Sequence, residues 1–203
     1  MFFYPGGTFR NRSANGYSFF QNSLSDLGST IAWNGQPNYF GALSFVSGFA
    51  ILALAGVVCF VALVRIYSSS RIPRWLARAA STAGILSCAG LIAAAAAPED
   101  RNAALHGQFT WLACGSFLAA TLLFALATAF NDHFRRRVPI GWAMLTLVLL
   151  AWIAVGPLRL INDPTLSIAI VLQKVLGIAM LGVFAFQSYE AERALAGITR
   201  NRP

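Results

Sequence analysis

Side chains capable of acid–base or nucleophilic chemistry are few in this chain of 203 residues, of which 11% are charged. The candidate catalytic residues are two serines, two aspartates and a histidine: Ser23, Ser25, Asp26, Asp100 and His106. A carboxylate or an imidazole is a common general base for a serine nucleophile, so these residue types favour hydrolase or transferase chemistry. No GxSxG, HExxH or comparable motif accompanies them, and whether the protein is an enzyme stays open, with a binding role favoured.

A second group of polar residues suggests binding rather than catalysis. Lys174 is the only charged residue between Thr165 and Ser188, where an ionised group needs a partner or a watery cavity. Two interpretations stay open. Lys174 either pairs with Asp26, Asp100 or Asp163 in a structural network, or contributes to a pocket for a polar ligand or lipid headgroup. The candidate ligand-binding residues are Asn22, Asp26, Asn38, Asp100, His106, Arg159, Gln173 and Lys174.

Cysteine and histidine give no sign of a metal or a cofactor. The three cysteines fall inside apolar stretches without CxxC spacing, as expected of small buried side chains: Cys59, Cys88 and Cys114. The two histidines, His106 and His133, are too few for a three-histidine zinc site. The sequence therefore predicts neither metal nor cofactor.

Five long apolar stretches must position these residues, most of which lie before or between them. They cover residues 40–64, 79–97, 109–130, 138–158 and 165–188. Each approaches or exceeds the length of about 20 residues that crosses a bilayer core. The composition agrees, because 57% of the chain is hydrophobic. We therefore predict an all-α, polytopic transmembrane bundle over residues 40–189.

The positions of the arginines predict the orientation of the bundle. Ten arginines follow the first, third and fifth stretches: Arg65, Arg71, Arg74, Arg78, Arg135, Arg136, Arg137, Arg193, Arg200 and Arg202. Only Arg10, Arg12, Arg101 and Arg159 occupy the other side. Basic loops stay in the cytoplasm, so residues 1–39 lie outside and residues 190–203 form a cytoplasmic tail. This pattern predicts a multi-pass protein of the inner (plasma) membrane whose basic loops contact anionic lipids, with no nucleic-acid partner.

The outer N-terminal segment carries its own helical pattern. Apolar residues recur at intervals of three and four: Tyr17, Phe20, Leu24, Leu27 and Ile31. Ser18 and Gln21 fit a capping box. We therefore predict an amphipathic helix over about residues 19–31, on the membrane surface or capping the bundle. No cleavable signal peptide precedes residue 40, so either the first span inserts with its N-terminus outside or a sixth, N-terminal span is encoded upstream of the present start, and we favour the second.

A family resemblance rests on this same segment. The run from Phe19 to Gly28, followed by Pro37, Asn38 and Phe40, resembles the signature of a bacterial membrane family, the domain of unknown function 998 family. The run from Phe3 to Gly7 and the spacing of Pro98, Asp100 and His106 are also similar to it. The resemblance implies six spans, and a distant similarity to the eukaryotic DRAM and FGF-receptor-activating-protein group implies a connection with lipid.

Two functions of different classes follow. The favoured one is a non-enzymatic lipid-binding or adaptor protein with membrane lipids as partners and a polar cluster at the outer membrane face. The alternative is an intramembrane lipid-directed hydrolase or transferase that uses outer-face Asp, His and Ser residues. Ion-coupled transport through Lys174 is weaker, since the spans show no internal repeat.

Overall fold

The described part of the chain folds mainly into helices. A computed structural model describes residues 2–66, 70–131, 137–155 and 163–200. Within these ranges six helices follow one another: α1 (Leu24–Gly28), α2 (Tyr39–Ile66), α3 (Arg71–Ala96), α4 (Ala103–Ala129), α5 (Arg137–Val155) and α6 (Asp163–Arg200).

Five of these helices are long and apolar enough to cross a membrane. The spanning segments are Tyr39–Arg65, Arg71–Ala96, Ala103–Ala129, Arg137–Val155 and Ser167–Glu190. Helices are favoured in a bilayer because they satisfy their backbone polar groups internally. The prediction of a polytopic transmembrane bundle is confirmed.

Several helices are longer than the apolar stretches that predict them. α3 begins at Arg71 and α4 at Ala103, where the side chain of Asn102 accepts a hydrogen bond from the N–H of Leu105. Such a cap satisfies a backbone donor that the first helical turn leaves free. α6 continues to Arg200, so most of the predicted cytoplasmic tail extends the last span as helix.

Aromatic rings fill the centre of the bundle. The ring of Phe124 stacks on Trp142 at 5.0 Å and on Phe60 at 6.0 Å between centroids. The ring of Phe184 meets Phe60 and Trp142 edge-on at 5.4 Å and 5.7 Å. Offset stacking and edge-to-face contacts are the favoured arrangements of aromatic pairs. This cluster joins α2, α4, α5 and α6.

Small residues and short polar contacts bring α3 close to its neighbours. A Cβ atom on Gly90 would lie 2.8 Å from the backbone nitrogen of Ala113 on α4. The hydroxyl of Ser81 donates a 2.8 Å hydrogen bond to the carbonyl of Phe60 on α2. Close backbone approach at glycine is typical of helix packing in membranes.

Residues 2–38, here called the N-terminal cap, form an irregular layer over one end of the bundle. Two isolated bridges, Gly6 with Asn15 and Ile31 with Pro37, fold the chain back on itself. Gly7 needs its missing side chain, since its φ is 85° and an added Cβ would lie 2.6 Å from the carbonyl carbon of Trp33.

The helix predicted over residues 19–31 is shorter in the structure. It is confined to α1, and its capping box uses Ser23 and Asp26 instead of Ser18 and Gln21. The N–H groups of Gln21 and Asn22 both donate to the carbonyl of Ser18, which makes a separate turn before the helix. The physical reason is the side chain of Asn22, which is fully buried and bonds to backbone groups.

Candidate functional site

A buried polar network lies at the centre of the N-terminal cap. The amide of Asn22 donates to a carboxylate oxygen of Asp26 at 2.8 Å and to the carbonyl of Gly7 at 3.0 Å. The N–H and the hydroxyl of Ser23 donate to the same carboxylate at 3.0 Å and 2.9 Å. A carboxylate taken out of water needs such donors, so Asp26 stabilises the fold of the cap.

Two neighbouring residues of α6 attach this network to the bundle. The side-chain oxygen of Gln173 accepts a 3.0 Å bond from the N–H of Leu24, at the start of α1. The ammonium of Lys174, only 4% exposed, donates a 2.6 Å bond to the carbonyl of Asn22. It also lies 4.9 Å from the ring centroid of Phe19 and 5.5 Å from that of Tyr17.

Asn22 lies between this ammonium and Asp26, since its side chain donates to the carboxylate and its carbonyl accepts from Lys174. The expected neighbourhood of Lys174 and Asp26 is therefore present, but the atom that accepts the hydrogen bond is a backbone oxygen. Asp100, a second expected partner, is engaged elsewhere by Thr30. The side chain of Asp163 is not among those that the structure describes, and Arg159 lies outside the described residues.

Two tyrosines close the network on its other side. The hydroxyl of Tyr17 lies within hydrogen-bond distance of the carbonyls of Asn22 and Ser23, at 3.2 Å and 3.0 Å. Burial, and then the charge of Asp26, raise the pKa of Tyr17. Burial also raises the pKa of Tyr4 to about 12, against a hydrogen bond from the N–H of Trp33 that lowers it. Both phenols are therefore neutral at physiological pH.

Asp100 fastens the cap to the turn between α3 and α4. Its carboxylate accepts bonds from the N–H and hydroxyl of Thr30 at 2.9 Å and 2.6 Å, and from the N–H of Ile31 at 3.2 Å. Burial acts to raise the pKa of Asp100, but these hydrogen bonds outweigh it and lower the pKa. Asp100 therefore carries a negative charge at neutral pH and is fully engaged in a structural contact.

His106 lies in the first turn of α4, rather than in the preceding loop. Its Nδ1 is 3.0 Å from the carbonyl of Ala94 and 2.9 Å from that of Ala97, at the end of α3. Only a protonated Nδ1 can donate to these oxygens, of which that of Ala94 also accepts a bond from the N–H of Ala97. His106 thus links two helices and has no hydrogen bond to Ser23 or Asp26 in the described part of the chain.

The remaining candidate residues also serve local structure. The amide of Asn38 donates to the carbonyls of Leu27 and Ser29 at 3.0 Å and 2.8 Å, which closes the loop between α1 and α2. The hydroxyl of Ser23 belongs to the cap of α1, and the carbonyl of Ser25 accepts a long bond from Ser29. The structure therefore does not assemble the predicted serine, carboxylate and histidine into one catalytic group.

An open cleft of about 680 Å³ lies between the cap, the α3–α4 turn and α6. The cleft is lined by charged, uncharged polar, aromatic and aliphatic side chains. The charged ones are Arg12, Arg101, Asp26, Glu99 and Asp100; the others are Gln21, Ser23, Ser29, Tyr4, Phe9, Trp33, Ile31, Ala32 and Ile170. Pockets for small ligands measure about 300 to 1,000 Å³ and combine apolar walls with a few polar groups. The cleft has the size and the mixed lining of a ligand site.

The two arginines of this cleft retain free donors. One nitrogen of Arg12 donates to the carbonyl of Trp33 at 3.3 Å, and its guanidinium lies 5.4 Å from the centroid of the Trp33 ring. Arg101 donates through Nε to the hydroxyl of Thr30 at 2.8 Å, while its side chain is 65% exposed. Each guanidinium carries five N–H donors, so most remain available to an anion.

In the sequence, Arg12 and Arg101 indicate only the orientation of the bundle. The spacing of Arg12, Trp33 and Arg101 along the chain gives no signal of a shared site, because the irregular cap brings them together. Glycines at positive φ near both ends of the cap, Gly6, Gly7 and Gly35, were the available hint that this segment folds back.

The described residues contain no group of three His, Cys, Asp or Glu side chains arranged to hold a metal ion. No family model, curated protein or solved structure matches the chain. The resemblance to the domain of unknown function 998 family thus stays a prediction, and function is inferred from the geometry of the cleft.

Proposed function

We propose that this integral membrane protein binds the phosphate-bearing headgroup of a membrane lipid in the cleft beneath its N-terminal cap, and that it does so without catalysis. The observation that supports this most is the pair of arginines, Arg12 and Arg101, on the lining of one open cleft. Guanidinium groups bind phosphate through paired, charge-assisted hydrogen bonds.

The position of the cleft suits a lipid. It reaches Ile170, within the spanning segment Ser167–Glu190 of α6, and extends to the polar residues of the α3–α4 turn. An amphiphile placed there has its headgroup beside the arginines and its chains beside apolar helix surface. The distribution of arginines along the sequence supports an outer-leaflet location for this end of the bundle.

Exposed aromatic side chains around the cap support the same location. Five phenylalanines of the cap are exposed: Phe2, Phe3, Phe9, Phe19 and Phe20. The ring of Phe3 lies 6.4 Å from that of Phe40, on the first turn of α2, so the apolar surface of the cap continues onto a spanning helix. A water-facing surface rarely exposes so many apolar rings, whereas the membrane interface accommodates them.

The polar network around Lys174 has a different role in this proposal. The ammonium of Lys174 is buried and already donates a hydrogen bond to the carbonyl of Asn22. The carboxylate of Asp26 already accepts hydrogen bonds from Asn22 and Ser23. We assign these residues to attachment of the cap, whose position shapes the cleft.

Native mass spectrometry of the full chain in a mild detergent tests the proposal. We expect dioleoyl phospholipids added one at a time to remain bound to the wild type, and the Arg12→Gln, Arg101→Gln double variant to bind them about tenfold more weakly. Loss of two guanidinium contacts at a partly exposed site is worth about 1.4 kcal/mol or more.

Arg65→Gln together with Arg71→Gln, compared with dioleoyl phosphatidylcholine as the lipid, is the matched control, because these arginines are exposed at the opposite end of the bundle and are predicted to contact anionic lipids. Equal affinity in the cleft variant and the control, or no retained phospholipid in the wild type, would refute headgroup binding in this cleft.

A further inference from the structure

One carboxylate of the cleft lacks any partner. Glu99 lines the cleft but makes no hydrogen bond or ion pair within the described ranges, and its side chain is half-buried. The two other acids of the cleft are satisfied by the fold, Asp100 by Thr30 and Asp26 by Asn22 and Ser23. Glu99 is therefore the acid that remains free to contact a ligand.

The charges of the cleft do not suit a purely anionic headgroup. Its lining combines Arg12 and Arg101 with three carboxylates, of which Asp26 accepts three hydrogen bonds from Asn22 and Ser23, and Asp100 lies 4.0 Å from Nε of Arg101. Two cations and two anions then face the open space. A phosphate monoanion alone would leave Glu99 repelling it, whereas a phosphate joined to an ammonium group would complement both signs.

We infer that the cleft selects a zwitterionic group in which a phosphate binds Arg12 and Arg101 and a primary ammonium binds Glu99. This inference rests on the proposed headgroup binding and specifies its chemical class. A primary ammonium has three N–H donors for a carboxylate, and phosphoethanolamine is the simplest group of this kind. It occurs as the headgroup of a phospholipid and also as a free soluble molecule.

The test compares two dioleoyl lipids that differ in the ammonium, phosphatidylethanolamine and phosphatidylglycerol, by native mass spectrometry of the full chain. We expect the wild type to bind phosphatidylethanolamine about fivefold more tightly, the scale of one partly exposed ion pair. In Glu99→Gln the ratio should fall to about one, with phosphatidylglycerol bound no more weakly than by the wild type.

Glu99→Gln removes no intramolecular bond among the described residues, so a normal thermal unfolding midpoint is expected of it. Glu192→Gln, an exposed acid near the other end of α6, is the matched control and should keep the preference of the wild type. Displacement of the bound lipid by soluble phosphoethanolamine would identify the free molecule as a ligand too. Resistance to displacement would identify the lipid as the ligand, while the zwitterionic class itself is decided by the comparison of the two lipids.

The failures of the two proposals are distinguishable. Equal affinity of the wild type for both lipids, or a preference that survives in Glu99→Gln, would overturn the role of the ammonium while leaving phosphate binding intact. Absence of any phospholipid bound to the wild type would overturn both.

Discussion

The ammonium of Lys174 donates a 2.6 Å hydrogen bond to the backbone carbonyl of Asn22, which lies 152 residues earlier in the chain. The bond joins the first third of the spanning segment Ser167–Glu190 to the irregular cap. Gln173 makes a second contact one residue away, to the N–H of Leu24. Together they fix the cap on α6, and the cleft depends on that placement.

Lys174→Met should destabilise the protein by about 2 kcal/mol, because it removes a charged hydrogen bond and the cation that offsets Asp26. The double variant Lys174→Met, Asp26→Asn should lose about 1 kcal/mol less stability than the sum of the two single variants, because each single change leaves the other charge unbalanced. Thermal unfolding in detergent measures the cycle.

The same cycle with Asp100→Asn is its control, because Asp100 contacts Thr30 and Ile31 instead. We expect additivity within about 0.5 kcal/mol for that pair. Additive stability changes for Lys174→Met and Asp26→Asn would show that Lys174 and the carboxylate of Asp26 do not interact.

Asp100→Ala should lower stability by about 1 to 2 kcal/mol at pH 7, through the loss of three hydrogen bonds to a carboxylate. Because folding lowers the pKa of Asp100 below its ordinary value of 3.8, its contribution is present above that pH and disappears as the pH falls through the folded pKa. The difference in unfolding midpoint between wild type and variant should therefore shrink as the pH falls below 3.8.

Glu192→Ala provides the comparison for this pH series, since Glu192 is exposed and has no described bond. Its midpoint should follow that of the wild type at every pH. A difference between Asp100→Ala and the wild type that stays constant in acid would mean that the ionised carboxylate is not what holds the cap.

The spans were predictable from the sequence because hydropathy alone decides whether a helix of this length enters a bilayer. That Lys174 needs a polar partner was also predictable, since a lone charge within a span requires compensation. The acceptor atom was not predictable, because every residue has a backbone carbonyl. Only the fold of the cap places the carbonyl of Asn22 beside Lys174.

The cleft could not be predicted, for a related reason. Arg12 and Trp33 lie 21 positions apart in a segment without long helices, and their contact depends on turns that hydrophobic periodicity does not report. The length of α1 was missed because the periodic apolar pattern continues through residues 18–22, where the buried amide of Asn22 forms a turn.

Gly90→Ala should destabilise the bundle by about 1 to 3 kcal/mol, the usual cost of overpacking. Its added Cβ would lie 2.8 Å from the backbone nitrogen and 3.1 Å from the Cα of Ala113, and backbone atoms of α4 cannot move aside alone. Gly115→Ala on α4 is the matched control, because nothing lies within 4 Å of its added Cβ.

The control should be neutral or stabilising by up to about 1 kcal/mol, the difference between the two residues in helix propensity. Unfolding midpoints of both variants in one detergent give the comparison. A tolerated Gly90→Ala would contradict the close approach of α3 and α4.

Orientation in the membrane is the last prediction, and the outer-leaflet proposal depends on it. With Cys59, Cys88 and Cys114 replaced by Ala, Ala103→Cys at the start of α4 should react with a membrane-impermeant maleimide on intact cells. Ser70→Cys, just before α3, should react only after permeabilisation. Both positions are exposed in the structure and lie at opposite ends of α3, so each variant is the control for the other. The expected pattern follows from the ten arginines, which are predicted to keep their loops in the cytoplasm. The reverse pattern would place the cleft on the cytoplasmic side, where the same two arginines would meet inner-leaflet headgroups instead.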